Sequence, residues 1–251
     1  MTRKSAPNWD ALDFAGFARL ANDSTLSKYE KIGFPDSYRQ GFESAIFADI
    51  RAKLPRLNER GLAVLDIGPG CSDLPHMLID LCRAQGHRLC LIDSEEMLRL
   101  LPDAPFIEKR PGLFPKNRAA MADRIGSFDV ILCYSVLHYV FVDANPFEFL
   151  DLSIELMRPG GEFLIGDIPN VSKRRRFFST DAGVAFHRAF TNSDTLPEIQ
   201  HNAPLSRLID DAAVMGFVMR ARAAGADAYV LPQPQSLPMA NRREDILIKK
   251  P

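Results

Sequence analysis

The feature that most constrains this chain is a glycine-bearing loop, Gly68-Pro69-Gly70-Cys71-Ser72, between an apolar run and an amphipathic stretch. Ala63–Ile67 (AVLDI) reads as a strand buried on both faces, and Leu74–Ala84 as a helix. Glycine adopts backbone conformations that side chains resist, so the chain turns sharply here and a ligand can approach the backbone. The helix that follows presents unpaired N–H groups and a partial positive charge. The next apolar run, Arg88–Ile92, leads into Asp93, at the spacing of an acid that accepts from ribose hydroxyls. The plain alternative is a tight turn with a surface aspartate. The strand–loop–helix–strand context argues against it.

The alternation continues. Phe128–Cys133 and Glu162–Ile168 read as further buried strands, with helices expected at Ser94–Leu101 and Phe147–Met157. Continuous apolar strands separated by helices predict an α/β fold with a doubly wound, mostly parallel sheet. Arg158-Pro159-Gly160-Gly161 reads as a helix stop before a strand. Residues 1–60 read as a mostly helical cap, with helical spacing across Gly41–Leu57, on one domain spanning 61–251. Residues 169–205 break the pattern with Pro169, the run Lys173–Arg176, clustered phenylalanines and Pro197, and read as an inserted lid. A helix is expected over Ser206–Ala224, then strands at Ala228–Leu231 and Asp245–Lys249 joined by the proline-rich stretch Pro232–Arg243.

Composition removes whole classes. The chain has 251 residues, enough for a sizeable core without staples. Its 31 basic and 32 acidic residues give a net charge of -1, which argues against nucleic acid as the main partner. No apolar run approaches the roughly 18 residues of a membrane span, and Met1–Asp10 does not read as a secretory leader. Cys71, Cys82, Cys90 and Cys133 form no CxxC pair, so zinc ribbons and redox dithiols are not expected, and a reduced, cytoplasmic setting is.

The loop also selects among cofactors. A dinucleotide loop would place glycine three residues after Gly70; this chain has Asp73, an acid ill-suited to a pyrophosphate. A cofactor without phosphates fits better, and Asp66 at the strand end is suited to accept from an ammonium group.

On these residues the sequence resembles the class I S-adenosylmethionine-dependent methyltransferases. Asp66, Gly68 and Gly70 match the family's D-x-G-x-G-x-G signature, with Ser72 in place of the third glycine, and Asp93 matches its ribose-binding acid. Ser127–Tyr139 resembles the fourth strand and active-site turn, and Leu156–Ile165 the L-x-P-G-G entry to the fifth. The resemblance covers residues 61–168 well and the last two strands more loosely. It implies a seven-stranded sheet of order 3-2-1-4-5-7-6 with the seventh strand antiparallel, S-adenosylmethionine as cofactor and S-adenosylhomocysteine as product. It assigns cofactor binding to Asp66, Gly68, Pro69, Gly70, Asp93, Ser94, Met97, Gly112, Leu113, Tyr134 and Ser135, with Tyr38 and Arg39 reaching in from the cap. The adenine-binding aspartate that many members carry after the third strand is missing from Phe106–Pro115, which leaves that work to backbone near Gly112–Leu113.

For the chemistry, His138 in the turn after the fourth strand is the candidate general base, with Tyr134 beside it. A packing role for His138 is the alternative. The turn lacks the N/D-P-P-Y of many amide and nucleobase N-methyltransferases, and Cys133 inside an apolar strand reads as an inert thiol. Asp143, Asp167 and Asn170 lack the adjacent Asp-Asn of metal-dependent members and read as cap and turn residues; no metal is expected. Candidate acceptor contacts are Tyr29, His138, Tyr139, Lys173, Arg174 and Arg175; the basic run can clamp an anion or simply be solvated. The phenylalanines of the insert are expected to pack it. With the polar loop Gln233–Arg243, these flanks suggest a hydrophilic small-molecule acceptor; the combination resembles methyltransferases of bacterial sugar and surface-glycan biosynthesis, which implies a sugar, sugar nucleotide or related metabolite, methylated on oxygen before nitrogen. RNA or protein acceptors, and a binding module without turnover, are the competing readings.

Overall fold

The computed structural model describes residues 12–199 and 208–251. Met1–Asp10, the end of the expected insert and the start of the helix expected from Ser206 lie outside them.

Seven strands form one sheet: β1 Ala63–Ile67, β2 Arg88–Asp93, β3 Ile107–Pro111, β4 Phe128–Tyr134, β5 Met157–Pro169, β6 Asp227–Pro232 and β7 Arg243–Lys249. Their order is β3-β2-β1-β4-β5-β7-β6, with β7 antiparallel to both neighbours and the other pairs parallel. β1 and β4 are buried along their whole length because helices cover both faces, which is why they read as unbroken apolar runs. β5 begins earlier than the glycine pair suggested. Met157 pairs with Phe128, a register shift follows, and Glu162 pairs with Val130, so Arg158–Gly161 is a kink within the strand.

One face carries α4 Glu43–Lys53 and α5 Asp73–Gln85, packing Ile46, Ile50 and Leu78 against Val64 and Leu132. The other carries α7 Leu137–Asp143, α8 Pro146–Leu156 and α11 Asp211–Ala223, packing Phe149 and Phe217 against Leu65, Ile131 and Phe163. α5 stops at Gly86, whose φ of 70° supplies the left-handed C-cap. α8 starts on Asn145, which accepts from Phe147 and Glu148 N–H, with Pro146 in the first turn.

The cap contributes α1 Phe14–Asn22, α2 Lys28–Lys31 and α3 Asp36–Arg39 ahead of α4. Between β2 and β3 lies α6 Glu95–Leu98. The insert after β5 folds as α9 Val171–Phe178 and α10 Asp181–Thr191. No described helix is long and apolar enough to cross a membrane.

Candidate active site

The carboxyl ends of β1, β2 and β4 open onto a cavity, the place where open α/β sheets bind ligands. Gly68 and Gly70 adopt φ of 73° and 66°. A Cβ on Gly68 would stand 2.6 Å from Val136 at the start of α7, and one on Gly70 would stand 2.7 Å from Ile32 of the cap. Both glycines therefore serve close approach as well as backbone conformation. Asp93 accepts from Gly70 N–H at 3.2 Å and Ser94 N–H at 2.7 Å. Burial nonetheless outweighs these donors and pushes its carboxyl up to about 6. Pro69, Met97, Gly112, Leu113, Tyr134 and Ser135 continue the wall.

The cap closes this cavity with Phe14, Phe17, Ile32, Phe34 and Arg39. Phe14 N–H donates to Asp143 at 2.8 Å, and the Phe17 ring meets Tyr139 edge-on at 4.6 Å. Lys28 Nζ and the Tyr29 hydroxyl both donate to Asp73, at 2.5 and 3.1 Å, pinning α2 to the start of α5. The apolar cap residues went unread because in sequence they are indistinguishable from ordinary packing.

Several expected contacts lie elsewhere. Asp66 is buried beneath the cavity, not in its wall; burial and the charge of Asp93 push its carboxyl up to about 8. Among the described residues no donor reaches it. Ser94 is spent as the N-cap of α6, accepting from Met97 N–H. Tyr29 is occupied by Asp73 and faces no acceptor space. Tyr139 lines the cofactor-side cavity, and Tyr38 faces a second space described below.

Behind Ser135 lies a buried polar network. Ser135 and Asp167, at the ends of β4 and β5, have φ of 62° and 59°, uncommon for non-glycine residues. The Ser135 hydroxyl donates to Asp167, and Arg39 Nη2 donates to both. Arg243 Nη1 donates to the Asp167 carboxylate at 2.8 Å, and Gln233 Nε2 reaches it at 3.4 Å. Arg39 also lies over the Phe34 ring at 4.5 Å. Burial alone would raise Asp167, but Arg243, Arg39 and the two side-chain donors hold it below the usual aspartate range.

The acid–base expectations fail on environment. His138 faces neither space and its Nδ1 is buried without a partner. Burial first, then the charge of Arg243, pushes it down to about 3, too weak a base for neutral pH. Burial also holds the Tyr134 hydroxyl well above its ordinary value, and does the same to the Cys133 thiol.

A second space of about 750 Å³ opens between α3, the α9–α10 insert and the β6–β7 connection. Tyr38, Phe177, Phe186 and Phe190 form its aromatic walls, and Gln233, Gln235, Asn241 and Arg242 its polar side. The insert phenylalanines pack on one another as expected, but only Phe178 is buried; Phe186 and Phe190, at 39% and 59% exposure, also wall the groove. The groove and the cavity are separated by Arg39, Asp167 and Gln233. The basic run does not line it. Lys173 Nζ donates to the Arg243 carbonyl at 2.6 Å, Arg174 lies over Phe178 at 5.0 Å, Arg175 Nη2 is buried, and Arg176 pairs with Asp211. Lys173 and Arg176 are thus engaged in structural contacts, while Arg175 Nη2 has no hydrogen-bond partner.

A family described as "Methyltransferase domain" matches residues 38–204, two thirds of the chain. This chain belongs to that family. No curated protein matches it. Among solved structures, the CurJ carbon methyltransferase superposes with a TM-score of 0.55 at 14% identity, covering 94% of this chain and 64% of that one. The plantazolicin methyltransferase BpumL, in complex with S-adenosylhomocysteine, gives 0.55 at 15% identity, covering 94% and 95%. A bacterial CtHen1 methyltransferase domain gives 0.53 at 13%, covering 84% and 100%. At these identities the likeness is one of fold.

The sequence resemblance implies S-adenosylmethionine as the cofactor of this methyltransferase domain. The residues present fit that group: a glycine cradle that a Cβ would fill, the Asp93 carboxylate in the wall, and Asp66 buried with no donor among the described residues. One further buried group was missed. Glu43 of α4 is 3% exposed, and burial raises its carboxyl even though Arg39 and the Ser72 side chain work to lower it. A glutamate in an amphipathic helix gives no sign of this in sequence.

Proposed function

We propose that this methyltransferase transfers its methyl group to an oxygen of a polar small-molecule acceptor bound in the groove of Tyr38, Gln233 and Arg242. The observation that carries the reading is adjacency: Arg39 lines the first cavity, its neighbour Tyr38 lines the groove, and Gln233 reaches Asp167 from the groove side, so transfer requires the Arg39–Asp167–Gln233 network to part. Amide and guanidinium side chains beside aromatic faces suit a small hydroxylated molecule such as a sugar or sugar nucleotide.

When bound, S-adenosylmethionine supplies an electrophilic methyl group on a sulfonium. Asp93 would accept from the ribose hydroxyls, Met97 and the backbone at Gly112–Leu113 would receive the adenine, and the Gly68–Gly70 loop would let the cofactor approach the backbone. Arg39 serves the carboxylate end, held there by Ser135 and Asp167. Phe14, Phe17 and Phe34 exclude water, which favours a displacement whose main requirement is alignment. With His138 pushed down to about 3, it does not serve as the base at neutral pH, and the acceptor hydroxyl gives its proton to another group or to water.

Isothermal calorimetry with S-adenosylhomocysteine tests the cofactor half: micromolar binding is expected, abolished in Asp93→Ala, and absence of binding at millimolar ligand refutes it. Methyl transfer from labelled S-adenosylmethionine to hydroxylated acceptors, against matched amines, tests the oxygen preference. Transfer to amines alone refutes that part.

A further inference from the structure

Arg242 lines the groove, whereas Lys173, Arg174 and Arg175, which also lack a carboxylate partner among the described residues, do not. Arg176 is paired with Asp211, and Arg243 with Asp167. Arg242 has no carboxylate partner among the described residues; its side chain donates only to Asn241 Oδ1, at 3.3 Å. It is half-buried in the groove, and that burial works against its charge. Tyr38 and Asp167 help hold the charge, while Arg243 and Arg174 oppose it. A half-buried guanidinium without a counter-charge is unfavourable unless a ligand supplies one.

The surroundings specify the rest of that ligand. Phe186 and Phe190 stack on each other at 6.1 Å with ring planes 5° apart, and both line the groove. Tyr38 meets Phe190 edge-on at 5.9 Å, and Arg242 lies over the Phe186 ring at 5.9 Å. A guanidinium fork suits a planar carboxylate bidentately, and stacked phenylalanines suit a planar ring.

We infer that the groove selects an aromatic carboxylate, its ring against Phe186 and Phe190 and its carboxylate on Arg242. This rests on reading the groove as the acceptor site, and it narrows the acceptor from polar molecules in general to hydroxylated aromatic acids. A phenolic hydroxyl is acidic enough to suit a site without a strong base. The basic run Lys173–Arg176 takes no part.

The test is calorimetric titration of the full chain with salicylate and coumarate, their neutral alcohols, and glucuronate as a non-aromatic acid. Each is run with and without saturating S-adenosylhomocysteine. Both aromatic acids should bind roughly ten- to a hundredfold more tightly than their alcohols, the range of a charge-assisted hydrogen-bonded pair. Arg242→Gln should erase that margin by weakening the acids far more than the alcohols, with S-adenosylhomocysteine binding retained, Arg242→Lys should restore part of it, and Phe186→Ala should weaken acids and alcohols alike. Glucuronate binding as tightly as the aromatic acids, an undiminished margin in Arg242→Gln, or no binding of either aromatic acid overturns the inference. Arg242-dependent binding without any methyl transfer would instead overturn the acceptor reading and leave the ligand class standing.

Discussion

Replacing Asp167 with asparagine keeps the shape of the side chain and removes its charge. Arg39 and Arg243 are 3% and 8% exposed and have no other carboxylate partner among the described residues. Two buried guanidiniums would be left against a neutral amide, and breaking such a buried pair costs about 3–5 kcal/mol. Arg39→Met is milder. Asp167 keeps Arg243 at 2.8 Å, and the methionine retains contact with Phe34. The charge-assisted bond to Asp167 is lost, but so is the cost of burying Arg39, leaving a net loss of about 1–2 kcal/mol. The double variant should cost less than the sum, because Asp167→Asn has already removed the partner of Arg39. Equilibrium urea unfolding followed by far-ultraviolet circular dichroism measures all three. Because Asp167 is held below the usual aspartate range, its contribution is complete above the unfolded value, about pH 4, and is lost as pH falls through the lower folded value. That share of acid sensitivity should be missing in Asp167→Asn. An Asp167→Asn cost under about 1 kcal/mol, or an Arg39→Met cost equal to it, would show that the network does not hold the cap to the sheet as argued.

Gly68→Ala should destabilise by about 2–5 kcal/mol, combining a left-handed alanine with overlap on Val136, and thermal unfolding reads it. Cofactor affinity should fall as pH drops below about 6, where Asp93 takes up a proton and loses an acceptor, by about tenfold per pH unit; a flat calorimetric profile between pH 5 and 8 would exclude the assigned role. Glu43→Gln should stabilise by about 1 kcal/mol at pH 8 and by nothing at acid pH, because the raised carboxyl is costly only when ionised; urea midpoints at the two pH values measure it.

The central strands were legible because a strand covered on both faces has no polar side to show, as in Ala63–Ile67 and Phe128–Tyr134. β3 escaped the apolar pattern because Ile107–Pro111 is the half-exposed edge of the sheet and carries Glu108, Lys109 and Arg110. The glycine loop was legible because backbone conformation restricts residue type at Gly68 and Gly70. The roles expected of His138, Tyr29 and Arg175 were not secured by residue type. A histidine becomes a base, a tyrosine a ligand contact or an arginine a clamp only through burial and partners, and those belong to the folded chain.

The local order of strand, loop and helix, and with it the end of the sheet that carries the Gly68–Gly70 loop, followed from the sequence by itself. The residues responsible are neighbours along the chain, and the covalent backbone fixes their geometry. The acceptor side was decided only by the tertiary structure. Tyr38 comes from the cap, Phe186 and Phe190 from the insert, and Arg242 from the β6–β7 connection, more than two hundred positions from Tyr38. What makes Arg242 informative is a carboxylate that folding does not bring to it, and only the packing of distant segments reveals which charges are left without partners.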